Sequence, residues 1–259
     1  MSGIIIKTQQ DLEAMRPACQ VAGEVLDSVA AFIRPGVTTR QIDEFAAEAI
    51  RQRGAKSAFL GYQKYPCNIC ISVNEEVVHG IAGDRRVEFG DIVSLDVGVR
   101  LNGFIGDTAR TVPVGGCGVA AQRLLDVTDQ ALYLGIAQAV SGNRVADISR
   151  AVQNHVESHG YTVVREFVGH GVGRSVHEEP QVPNFVESGK KSPLLRPGMT
   201  IAIEPMVNAG RREVKILKDK WTVVTVDGQL SAHFEHTVLI TEGAPEILTR
   251  VPALKTAAT

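Results

Sequence analysis

The sequence predicts an α+β fold in which two related halves share one mixed or antiparallel sheet and meet at a common site. Two observations carry this. The order helix, helix, strands occurs twice, and the strand pattern Gly90-Asp91-Ile92-Val93-Ser94-Leu95-Asp96 returns as Gly198-Met199-Thr200-Ile201-Ala202-Ile203-Glu204, ending each time in a carboxylate. A second pair, Asp107-Thr108-Ala109-Arg110-Thr111-Val112 and Glu235-His236-Thr237-Val238-Leu239-Ile240, repeats the echo with the carboxylate leading. The expectation is a single domain over residues 1–259, with internal halves at about 8–113 and 119–247.

In the first half, apolar residues after Thr8 recur at Leu12, Met15, Cys19, Ala22, Val25, Leu26, Val29 and Phe32, the three-four spacing of an amphipathic helix, which Pro35-Gly36 ends. A second helix opens at Thr38, whose spacing to Gln41 resembles a capping box, and runs through Ile42, Phe45, Ala46, Ala49 and Ile50 to Gly54. Strands follow. The short, Gly-rich stretch from Val114 through Gly118 joins the halves. The second half has a helix from about Val119 to Val140, a break at Ser141-Gly142 and a helix from Asp147 to Gly160. At a constant offset, Gly36, Ile42, Ile50 and Gly54 fall on Gly142, Ile148, Val156 and Gly160.

Composition narrows the function. A hydrophobic content of 44% in 259 residues supports a substantial core, and a formal charge of -2 with mixed signs argues against a nucleic-acid or acidic-membrane surface. The start, Met1-Ser2-Gly3-Ile4-Ile5-Ile6-Lys7, has too short an apolar run for a secretion signal, and no run nears the ~18 residues needed to span a bilayer. Cys19, Cys67, Cys70 and Cys117 form no disulfide framework, which fits a reducing, cytoplasmic compartment. Cys67 and Cys70 stand as a lone Cys-x-x-Cys inside a strand pattern and read as buried thiols.

Asp96, Asp107, His170, Glu204 and Glu235 each sit in an apolar or glycine-rich stretch where a charged side chain is costly. If the four anions converge to about 5 Å, each pair repels by about 3 kcal/mol at an effective dielectric of about 20, and the cluster needs compensation. Two divalent cations cancel the four charges. Asn102-Gly103 is a strong hairpin signal between Asp96 and Asp107. A loop at Asn102-Gly103 sets Asp96 opposite Ala109 with Asp107 diagonal to it, whereas a loop at Leu101-Asn102 pairs the two aspartates directly; either leaves both on one face. His170 lies among Gly169, Gly171 and Gly173, where backbone can approach a ligand closely. One imidazole with four carboxylates and no thiolate is a moderately hard, oxygen-rich set suited to a pair of first-row dications or manganese, and two such ions can activate water for hydrolysis.

At these residues the sequence closely resembles the type I methionine aminopeptidases, members of the pita-bread fold family, from about Ile4 to Ile247. The resemblance implies a pseudo-twofold pair of helix-helix-strand halves around a central curved, mainly antiparallel sheet, in a single catalytic domain. It implies Asp107 and Glu235 as bridging ligands of a dinuclear metal centre, Asp96 as chelator of one ion, and His170 with Glu204 on the other. A bridging hydroxide then attacks the first peptide bond, one ion holds the free α-amine, and N-terminal methionine is released when the next residue is small. Glu204 is implied as proton carrier, His79 as donor to the scissile nitrogen and His177 as stabiliser of the oxyanion. The methionine pocket maps onto Phe59, Tyr62, Tyr65, Cys70 and Trp221, beside His79 and His177. Two departures bear on selectivity: Val176 stands where many relatives carry phenylalanine, and Gln63 where some carry histidine.

The resemblance further implies cobalt, manganese, iron, zinc or nickel as the two divalent ions, with a monovalent cation near Asn74, Glu76 and Ser231. Its partners are the N-terminal peptides of nascent proteins, with transient ribosome association, no direct nucleic-acid function, no membrane and a monomeric state. The rival readings are a proline-specific aminopeptidase or dipeptidase of the same fold, which carries an extra N-terminal domain, and an inactive pita-bread binding protein, which loses ligands that this sequence retains.

Overall fold

The computed structural model describes residues 3–187, 189 and 191–251, so Met1 and Ser2 of the segment read above for a leader lie outside the described residues. Four α-helices form among the described residues: α1 (Gln9–Phe32), α2 (Thr39–Gln52), α3 (Val119–Ala137) and α4 (Val145–Ser158). The predicted cap is real, since Thr38 Oγ1 accepts from Gln41 N at 3.2 Å and Gln41 Oε1 accepts from Thr38 N at 3.0 Å. Thr8 and Asp11 build the same reciprocal cap on α1. Three boundaries differ from the sequence reading, one of them the end of α4 at Ser158 rather than Gly160. Helix α3 stops at Ala137 rather than Val140 because the next turn tightens and Asn143 Nδ2 takes the Gln138 carbonyl at 3.0 Å. Helix α4 begins at Val145 because Asp147 reaches back to Arg144 N at 2.8 Å and is a third-position cap partner, not the start.

Among the described residues the main sheet has nine strands: β1 (Lys56–Ser57), β2 (Cys70–Val73), β3 (Ile92–Leu101), β4 (Phe104–Pro113), β5 (Gly169–Gly171), β6 (Glu178–Val182), β7 (Thr200–Ile203), β8 (Glu235–Leu239) and β9 (Glu246–Ile247). Their order is β1-β3-β4-β8-β7-β5-β6, with β2 also on β3 and β9 also on β8. All of its pairings are antiparallel. Asn102 and Gly103, at φ 52° and 80°, make the two-residue turn between β3 and β4 with Leu101 opposite Phe104, which selects the diagonal arrangement and discards the Leu101-Asn102 loop.

The duplication read from the sequence reappears in the hydrogen bonds. Gly36 N donates to Val87 O at 2.8 Å and Gly142 N to Leu195 O at 3.1 Å; Gly90 N donates to Val114 O at 3.1 Å and Gly198 N to Ile240 O at 2.9 Å. One apolar cluster joins α1 and α2 to β3 through Val25, Ile42, Ile50, Leu95 and Val97, and its counterpart joins α3 and α4 to β7 and β8 through Leu132, Ile148, Val156, Ile203 and Val238. Burial of these stripes on one side of the sheet leaves the other side to the site.

Candidate active site and metal centre

Cross-strand register explains how the carboxylates converge. Cys70 pairs with Asp96, Asp96 with Ala109, and Ala109 with Glu235, giving one row across β2, β3, β4 and β8. Side chains in such a row share a face. The methyl of Ala109 therefore leaves space between the Asp96 and Glu235 carboxylates. Asp107 lies two residues along β4 on the same face, opposite Gly98. Glu204 follows the last residue of β7, where Ile203 pairs with His236, and His170 is the centre of β5.

All five side chains reach one cavity of about 370 Å³. One ligand atom each from Asp107, His170 and Glu235 lies within 4.8 Å of the others, and His170 Nε2 stands 3.4 Å from Glu204 Oε1. Burial first, then repulsion from neighbouring carboxylates, holds Asp96, Asp107, Glu204 and Glu235 well above the ordinary carboxylate range. Burial, followed by the nearby His177, pushes His170 down to about 3, so its imidazole is neutral and available as a ligand.

The residues fit a metal. Asp96 Oδ1, Asp107 Oδ1 and Glu235 Oε1 are buried without a hydrogen-bond partner, and no lysine or arginine among the described residues neutralises the cluster. Such orphaned anions are sustained by a bound cation, and the donors are those that hard to borderline dications take.

The histidines and pocket residues are placed by separate devices. His79 holds a positive φ of 60°, a sparsely populated conformation for a residue with a side chain. The next residue is pinned, because Gly80 O accepts from Tyr65 Oη at 2.7 Å and Gly80 N donates to Ser72 Oγ at 3.1 Å. The His79 ring meets Phe167 and Trp221 edge-on at 5.3 and 6.0 Å, and burial with His177 lowers it to about 4. His177 Nδ1 lies 2.8 Å from Tyr62 Oη, and its ring is 4.4 Å from that of His170. The Phe59 ring packs against Gly98, where a Cβ would come within 2.4 Å of it. Tyr65 and Trp221 meet edge-on at 5.0 Å. Cys70 lines the same wall with its thiol pushed up by burial, while Cys67 Sγ accepts from Ala82 N at 3.3 Å, so the two cysteines make separate contacts.

Sequence reasoning missed His233, Met206 and Phe167, which also line the cavity. For His233 a signal existed: it lies two residues before Glu235, the spacing of side chains on one strand face.

A fold of duplicated halves with a buried carboxylate-imidazole cluster at their junction defines a metallohydrolase class, and the chain belongs to metallopeptidase family M24, whose family model matches residues 13–242. Divalent metal ions come with that family. Within it the chain is similar to methionine aminopeptidases. It is 49% identical over 248 residues to methionine aminopeptidase 1 of Bacillus subtilis, covering 96% of this chain and 100% of the relative. It is 45% identical over 248 residues to the methionine aminopeptidase of Escherichia coli, covering 95% and 94%. The crystal structure of methionine aminopeptidase from Thermotoga maritima superposes with a TM-score of 0.93 at 44% identity, covering 96% of this chain and 100% of that one. Prolidase from Pyrococcus furiosus shares the fold, with a TM-score of 0.77 at 24% identity, but this chain covers only 66% of it.

Proposed function

We propose that this chain is a metal-dependent aminopeptidase that removes methionine from the amino terminus of nascent proteins and peptides when the second residue is small. One observation carries the reading: the carboxylate-imidazole cluster lies in a cavity walled by Phe59, Tyr65, Cys70 and Trp221. That wall is apolar and aromatic with a soft thiol, a surface suited to an unbranched thioether. Relatives nearly half identical along almost their whole length, all methionine aminopeptidases, support it.

Asp96, Asp107, His170, Glu204 and Glu235 would together hold the two divalent ions. When bound, the ions supply Lewis acidity toward the first peptide carbonyl, an anchor for the free α-amine and a water of lowered pKa. Glu204 carries the proton from the attacking water to the departing amine. His79, whose strained backbone and pinned neighbour fix its ring, donates to the scissile amide nitrogen. His177, steered by Tyr62, faces the carbonyl oxygen as its negative charge develops.

Cobalt, manganese, iron, zinc and nickel all suit this donor set, and availability selects among them. Asn74, Glu76 and Ser231 would hold a monovalent cation. Asn74 O accepts from Ser231 N at 2.9 Å and Glu76 Oε2 accepts from Val73 N at 2.8 Å, so the three residues cluster beside β2. No helix among the described residues is long and apolar enough to cross a membrane. The free cysteines Cys19, Cys67, Cys70 and Cys117 fit a reducing compartment, and our reading is a cytoplasmic monomer acting on emerging chains, transiently at the ribosome, with both halves forming one catalytic unit.

The deciding experiment strips the protein of metal, restores each dication in turn and assays Met-Ala-Ser against Ala-Pro-Ala. Metal-dependent cleavage of the first peptide is expected. Cleavage of the second alone would move the chain to the proline-specific branch, and cleavage without metal would overturn the mechanism.

A further inference from the structure

We propose that His233 is a positioning residue for Glu204: its Nε2–H holds Glu204 Oε2, leaving Oε1 to face His170. The two oxygens of Glu204 are divided between two imidazoles, with Oε1 3.4 Å from His170 Nε2 and Oε2 3.6 Å from His233 Nε2. His233 is only 2% exposed, and its Nε2 is buried with no hydrogen-bond partner. A fully buried ring nitrogen aimed at a carboxylate oxygen takes the tautomer that carries the proton on that nitrogen. The separation is longer than a hydrogen bond, and contacts of this kind tighten when an active site is loaded.

The backbone is built to aim the ring. His233 ends the short strand Ser231–His233, which pairs with Met206–Asn208 so that Met206 faces His233. His233 N donates to Thr111 Oγ1 at 2.8 Å, and Thr111 Oγ1 donates back to His233 O at 2.9 Å. Ser94 Oγ lies 2.8 Å from Thr111 Oγ1 and supplies the remaining proton. Both backbone groups of His233 are therefore clamped to β4, while Asn184 Nδ2 holds the Glu204 carbonyl at 2.9 Å from the other side. A carboxylate fixed at one oxygen has a single orientation at the other, which is what a proton carrier and ligand requires.

The proposal rests on the role given to Glu204 above, and its test separates the two. In the zinc-loaded protein with 15N-labelled histidine, His233 is expected as the Nε2-protonated tautomer; proton on Nδ1 with bare Nε2 overturns the proposal whether or not the protein cleaves methionine. On Met-Ala-Ser at saturating metal, His233→Ala is expected to lower kcat about 10- to 100-fold, the range for groups that orient metal ligands, with KM changed less than about threefold. His233→Gln, whose amide nitrogen reaches the position of Nε2, is expected to recover most of that loss. An unchanged kcat in His233→Ala, or a folded His233→Gln as impaired as His233→Ala, overturns it. Failure of the unmodified protein to cleave Met-Ala-Ser overturns the substrate reading and leaves the tautomer measurement to decide His233.

Discussion

Lys7 Nζ donates to Glu178 Oε2 across 2.6 Å, with the two side chains only 3% and 6% exposed, and this pair ties the start of the chain to the loop that carries His177. Glu178 Oε1 also accepts from Arg174 N at 2.8 Å and Ser175 N at 3.2 Å, so one carboxylate organises the whole turn before the histidine. Removing one partner of a buried pair strands the other charge, at a cost of about 3–5 kcal/mol. Lys7→Met is therefore expected to lower the unfolding free energy by that order and to reduce kcat, while Lys7→Met with Glu178→Gln regains part of the stability. Denaturant unfolding of the three proteins measures this. A Lys7→Met protein as stable as the parent would show the pair to be incidental.

Asp107 gives a prediction that changes sign with metal. Its carboxyl is held well above the usual range by burial and by Asp96, so the folded state binds the proton more tightly than the unfolded chain. The associated stability is present below about pH 4 and is lost as pH rises through the folded-state value. Without metal at neutral pH, Asp107→Asn should raise the thermal midpoint by relieving the cluster. With cobalt or manganese present the order should reverse, because a ligand is lost. Melting curves with and without chelator read both halves, and the same ranking under the two conditions would count against a metal centre here.

Selectivity at the second substrate residue should respond to Val176, which is 3% exposed and lines the cavity beside His177. Val176→Phe adds a ring there. The expected result is a kcat/KM ratio of Met-Ala-Ser to Met-Val-Ser that rises by about tenfold, the scale of one or two methylenes misfitted in a pocket. An unchanged ratio would place the selectivity filter elsewhere.

His79 sets a pH dependence. Burial, and then His177, lowers it from 6.5 to about 4, so below pH 6.5 the unfolded chain takes up a proton that the folded one refuses. Stability is therefore lost as pH falls, by up to about 3 kcal/mol near pH 4. His79→Asn tolerates the positive φ and cannot titrate in this range. It should flatten the stability profile between pH 6.5 and 4 by that amount. A parallel profile, or an NMR titration of His79 near 6.5, would contradict the burial argument.

Much of the fold was legible because short-range periodicity encodes it. The buried stripe of α1 includes Leu12, Met15, Cys19, Ala22, Val25, Leu26 and Val29, all residues of the predicted spacing. The Asn102-Gly103 turn and the repeated strand patterns lie where local chemistry places them. Helix ends were less legible, since Asn143 and Asp147 cap through side chains whose roles depend on the neighbouring turn.

By itself, the sequence determined the duplicated elements, the faces of the helices and the four carboxylates and one imidazole set in apolar or glycine-rich stretches, because periodicity and desolvation act residue by residue. Tertiary structure alone decided that Cys70, Asp96, Ala109 and Glu235 form one row, that His233 faces Glu204, and that Lys7 anchors the turn before His177. Each of those contacts joins segments distant along the chain. Their meeting depends on strand register and on the packing of one half against the other, which local periodicity does not specify.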